Sequence, residues 1–132
     1  MSRENVAAVE RILAEWATGD LGAAIGDFDP HIVLVVRPTF PEHGVFLGPD
    51  GIRDYMGRFL AQWERYAIEG KNVQAVGDTV LAGVIQRGTG KVSGVQTETP
   101  SFVLFTFRAA KIVRMDFVLD EREALEAAGL SE

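Results

Sequence analysis

The sequence contains no cysteine, so disulfides, thiolate metal sites and cysteine nucleophiles are all excluded. Histidine is nearly as scarce. His31 and His43 are the only two in 132 residues, and no carboxylate lies at ligand spacing beside either on a shared helix face, so neither a metal nor another cofactor is expected. No apolar run approaches the roughly 18 residues that span a bilayer, and Met1-Ser2-Arg3-Glu4-Asn5 lacks the apolar core of a signal peptide. The expectation is a cytoplasmic protein that does not enter a membrane. Basic residues are outnumbered, 13 Lys and Arg against 19 Asp and Glu, and a net charge of -6 argues against a nucleic-acid partner, which needs a basic face.

What is present is apolar: 47% of residues, enough for one domain over residues 1–132 with a single sizeable core. Val6, Val9, Leu13 and Trp16 recur at three- and four-residue steps, predicting a first helix capped by Ser2 and ended at Gly19. A second, short helix is expected from Asp20 to Phe28, where Asp29-Pro30 breaks it. The strand His31 to Arg37 follows, apolar on both alternating faces, and then a proline-interrupted loop from Pro38 to Gly44. Beyond Pro49-Asp50, the stripe Ile52, Tyr55, Met56, Phe59, Leu60, Trp63 and Ala67 predicts a third helix. Four strands come next, over residues 68–76, 79–87, 95–108 and 111–120, joined by turns, and Glu121 to Gly129 closes the chain as a helix. Helices first and hairpin-joined strands afterwards give an α+β fold with helices on one sheet face.

Several residues invite a chemical reading. Gly88-Thr89-Gly90-Lys91-Val92-Ser93-Gly94 lacks the spacing of a phosphate loop and lies between strands, so it reads as a hairpin turn. Glu42 and His43 form an acid/base pair if the carboxylate holds the imidazole, and an exposed loop dipeptide otherwise. Arg37 ends an apolar strand, either anchoring a ligand anion or pairing with a nearby acid. Tyr55, Gln86, Glu98 and Ser101 are polar groups inside apolar stretches that either orient a ligand or satisfy backbone.

The sequences Ala17-Thr18-Gly19-Asp20-Leu21, Phe28-Asp29-Pro30, Gly48-Pro49-Asp50-Gly51-Ile52 and the closing Lys111-Ile112-Val113 strand resemble the SnoaL-like branch of the nuclear transport factor 2-like superfamily. Gln86-Arg87-Gly88 with Leu119-Asp120 is similar, more narrowly, to actinobacterial members of that branch. The resemblance implies a curved antiparallel sheet wrapped into a cone by three N-terminal helices, with a short C-terminal helix, an apolar cavity and usually a homodimer. It does not imply one activity, because the family includes isomerases, polyketide cyclases, epoxide hydrolases, dehydratases and non-catalytic binders. The base aspartate of the steroid isomerases falls on Arg37, and their oxyanion-hole tyrosine and acid on Ile12 and about Val103. The Arg-Asp apparatus of the epoxide hydrolases falls on Val84, Gln86 and Phe117. The cyclase aspartate also falls on Phe117, one residue from Asp116, which faces the cavity only if a bulge shifts the strand's phase.

On that phase, Val33, Val35, Arg37, Val84, Gln86, Ser101, Val103, Phe105, Met115, Phe117 and Leu119 line the cavity, closed by Tyr55 and Phe59. The opposite faces carry Leu81, Ile85, Phe102 and Leu104, an apolar patch that points to a homodimer through the outer sheet face. Two readings follow. One is a binding domain for an apolar small molecule with Arg37 and Gln86 as polar anchors. The other is a cofactor-free cyclase or isomerase in which Asp116 or His43 moves a proton and Arg37 steadies an enolate.

Overall fold

Wound at 3.6 residues per turn, Val9, Ile12, Leu13 and Trp16 fall on one face, and helix α1 (Ser2–Trp16) buries all four. The computed structural model describes residues 2–22, 24–40 and 42–129; the side chain of Ser2, expected to cap α1, and Pro41 of the expected loop lie outside the described set. Gly19, at φ +97°, ends the helix as expected, with its N–H bonded to Trp16 O and that of Asp20 to Glu15 O. The helix expected to restart at Asp20 is only a turn. The Asp20 carboxylate accepts from the Gly22 N–H, and a single 3₁₀ turn at Ile25–Asp27 leads into the sheet.

Among the described residues, six strands form one open mixed sheet: β1 (Phe28–Val36), β2 (Gly44–Leu47), β3 (Trp63–Val76), β4 (Thr79–Gly90), β5 (Gln96–Arg108) and β6 (Lys111–Val118), in the order β2-β1-β6-β5-β4-β3. All neighbours are antiparallel except β1 and β6, which run parallel and join the chain's two ends. The α+β fold, with a curved sheet enclosed by helices, is as expected; the parallel pair and β2 are additions to it. Helix α2 (Gly48–Leu60) opens with Pro49 in its first turn. It stops seven residues short of Ala67, because the chain from Trp63 onward pairs with β4, Trp63 against Gly90 and Ile68 against Gln86. The stripe's last two residues are therefore strand residues.

Helices α1 and α2 cover the inner face of the sheet. Helix α3 (Glu121–Ala127), capped by Asp120 through the Arg122 N–H, lies on the outer face instead. It buries Leu81, Leu104 and Val118 against Ala124, so two members of the expected exposed patch are covered within the monomer. Ile85 and Phe102 remain partly exposed, and Val45 and Leu47 add a second apolar region at 61% and 68% exposure. No helix among the described residues is long and apolar enough to cross a membrane.

Candidate functional site

The register decides which side chains face inward. Leu34 lies opposite Met115 and Val36 opposite Phe117, so these four share the inner face while Val33, Val35 and Asp116 share the outer one. Ile68 pairs with Gln86, adding two more inward residues. Facing them across the opening of the sheet are Tyr55, Met56 and Phe59 of α2, and the space enclosed is a cavity of about 420 Å³, within the usual range for small-molecule sites. Trp16, Leu21, Phe28, Phe40 and Leu119 complete a mostly apolar wall.

One side of that wall is a run of aromatic rings. Tyr55 and Phe59 stand 6.0 Å apart between centroids, Phe59 meets Tyr66 edge-on at 4.9 Å, and Tyr66 lies 5.1 Å from Trp63. Gly88 makes room for this run, since a Cβ there would sit 2.6 Å from the Trp63 ring and 2.8 Å from Tyr66. Gly88 is thus a strand residue under the aromatic wall, not the start of a flexible turn; the turn begins only after Gly90.

Tyr66, Gln86 and Ser101 form one connected polar set. The Tyr66 hydroxyl donates to Gln86 Oε1, and Gln86 Nε2 donates to Ser101 Oγ at 2.8 Å. Burial pushes the Tyr66 phenol well above its ordinary range. It pushes Tyr55 up to about 12, helped by the Glu42 carboxylate and opposed by Arg58. Both phenols are therefore neutral donors at physiological pH. Glu42 itself stands exposed at the mouth, accepting from Gln62 Nε2 at 3.0 Å. A second, more open groove of about 690 Å³ runs past the end of α1 over Arg65, Arg87 and Glu98, and shares Tyr66 and Thr97 with the cavity. It is wider open and only half apolar, so the more enclosed, mostly apolar cavity is the better candidate.

Tyr55, Phe59, Gln86, Met115 and Phe117 line the cavity. Val84, Ser101, Val103 and Phe105 lie on the same inner face but are buried in the core that also holds Val9, Ile12 and Leu13, because α1 fills that end of the sheet. Arg37 and Asp116 are elsewhere. Asp116 lies opposite Leu104 on the outer face, with its carboxylate held by Arg114 through bonds of 2.8 and 2.9 Å. Arg37 approaches Asp116 at 3.5 Å and Glu123 of α3 at 3.4 Å, so it ties the sheet to the closing helix. The bond to Asp116 raises the Arg114 guanidinium above its ordinary range. No bulge brings Asp116 inward; the register shift between β5 and β6 comes earlier, at Thr106 and Phe107. Neither residue lines the cavity, so proton transfer by Asp116 and an enolate contact by Arg37, both expected from the sequence, do not fit this placement.

His43 is exposed on the loop and its Nδ1 lies 2.9 Å from Phe40 O, while Glu42 turns to Gln62, so the two do not form a pair. Glu98 is exposed on the outer face beside Arg87. Among the described residues no group of three His, Asp or Glu side chains comes together as metal ligands. Sequence reasoning did not place Tyr66, Ile68, Leu34 and Val36 at the cavity. Tyr66 and Ile68 carried a usable signal, the two-residue alternation that marks a strand.

Comparison with known proteins gives a consistent picture. The model of the SnoaL-like domain family matches residues 9–115. The structure of TerC co-crystallised with polyporic acid superposes with a TM-score of 0.76 at 17% identity, covering 96% of this chain and 98% of that one. A putative SnoaL-like polyketide cyclase from Jannaschia sp. CCS1 gives 0.76 at 18% identity, covering 99% and 94%. A nuclear transport factor 2-like protein from Burkholderia thailandensis E264 gives 0.77 at 25% identity, covering 95% of each chain. No curated protein matches the sequence.

Proposed function

The chain belongs to the SnoaL-like domain family of the nuclear transport factor 2-like superfamily, and from that premise we propose that it is a single binding domain for a largely apolar small molecule. The observation that carries this reading is the cavity of about 420 Å³, walled by aromatic and aliphatic side chains with Gln86 and Tyr66 as its polar strip. Such a lining rewards burial of apolar surface, at about 25 cal/mol per Å², and lets one or two hydrogen bonds set orientation. The co-crystal of TerC with polyporic acid and the cyclase name of the Jannaschia protein support a ligand of that general kind. Proton transfer by Asp116 with Arg37 on an enolate has no support, since both side chains lie across the sheet from the cavity. The reading includes a homodimer formed on the outer face, where Val45 and Leu47 stay exposed, and a cytoplasmic location.

Fluorescence tests the binding reading. Trp16 and Trp63 are the only two tryptophans and both line the cavity, so a bound aromatic molecule must quench or shift their emission saturably. Emission unchanged by steroids, aromatic polyketides, terpenoid epoxides and fatty acids alike would refute it.

A further inference from the structure

The charge on the cavity wall has one sign. Among the described residues that line it, Glu42 alone carries a formal charge; the others are aliphatic, thioether, aromatic, hydroxyl or amide side chains. Glu42 is also held in place, because Gln62 Nε2 donates to its Oε2 at 3.0 Å and reaches the Arg58 carbonyl of α2 at 3.5 Å. Its field is felt inside, where it helps keep the Tyr55 phenol protonated. The rings of Phe40, Tyr55, Phe59 and Trp63 line the same space, and aromatic rings carry negative charge on their faces. A carboxylate beside several such rings favours a cation and disfavours an anion.

We propose that the ligand carries a cationic amine, seated at the cavity mouth between the Glu42 carboxylate and the Tyr55, Phe59 and Trp63 rings, with its apolar body inside. This rests on the binding reading above and adds the ligand's charge. Two basic groups stand near. Arg58 lies exposed on α2 outside the lining, where its field at Tyr55 opposes that of Glu42 and is the weaker of the two, and His43, next in the chain, has its ring against the Phe40 carbonyl. Neither places a positive charge on the wall. An amine at the mouth therefore meets a carboxylate and the faces of several rings, whereas a carboxylate ligand meets like charge.

The test uses one skeleton with three head groups, naphthylmethylamine, naphthylmethanol and naphthoic acid, titrated by tryptophan fluorescence and calorimetry at about pH 8 and low salt. The amine is expected to bind about tenfold tighter than the alcohol, and the acid weaker than both. Glu42→Gln, which keeps an acceptor for Gln62, should abolish the amine's advantage over the alcohol; Glu42→Asp should keep part of the preference. Equal binding of amine and acid, or a preference that survives Glu42→Gln, overturns the charge inference and leaves the cavity reading standing. Binding of none of the three overturns both.

Discussion

Gln86 is the residue on which the polar side of the cavity depends. It is only 9% exposed and joins half-buried Tyr66 to buried Ser101, so removing its amide leaves two hydroxyls without their partner at once. Gln86→Leu should cost about 1–3 kcal/mol and lower Tm by several degrees. An unchanged Tm would mean that the hydroxyls find other partners. The two tyrosines make a second prediction, about pH. A phenol with an ordinary value of 10.0 in the unfolded chain and about 12 when folded favours the folded state while protonated. That contribution is present in full below pH 10 and is lost as pH rises through about 12. Tyr55 and Tyr66 are the only tyrosines, so phenolate absorbance should stay absent from the folded protein at pH 10; a phenolate appearing there would contradict the burial of both rings.

Elements show which parts of this structure were legible from residues alone. Helix α1, the start of α2, the hairpins β3–β4, β4–β5 and β5–β6, and Asp120 leading into α3 follow from periodicity, caps and turns, all of which are local. The phase of β1 was not legible, because Ile32 to Val36 is apolar on both faces and only pairing with β6 decides that Leu34 and Val36 point inward. That pairing joins residues some 80 positions apart, and no local signal encodes it. The same gap moved Arg37 from the expected cavity to the outer face, whereas Asp116 lies outward as the unshifted phase of β6 requires. At Trp63 two local signals conflict, a helical stripe and a strand alternation, and the ladder to β4 settles it. The β5–β6 turn carries a testable cost. Ala109 and Ala110 hold φ of 52° and 67°, a left-handed pair that side chains with a Cβ resist. Ala109→Asn with Ala110→Gly should raise stability by about 1 kcal/mol in denaturant unfolding, after the entropic cost of the added glycine. A loss of stability would show that this turn is not strained.

At the scale of the whole molecule, the two sheet faces have different work. The inner face builds the cavity, while the outer face divides between α3, pinned by Arg37 to Glu123, and the open apolar strip at Val45 and Leu47. If that strip is the homodimer surface, Leu47→Lys should convert a dimer to a monomer in sedimentation without unfolding it, since Leu47 is 68% exposed. A wild-type protein that sediments as a monomer would dispose of the dimer. The account's central claim is the cavity. Thermal unfolding against steroids, aromatic polyketides, terpenoid epoxides, fatty acids and naphthyl amines, repeated with Met56→Trp to fill the space, tests it most directly. A ligand at about 100 times its dissociation constant adds roughly 2.7 kcal/mol, so at least one class should raise Tm by several degrees in the native chain and not in the filled variant. No shift with any class, or the same shift in Met56→Trp, would contradict a binding cavity at this place.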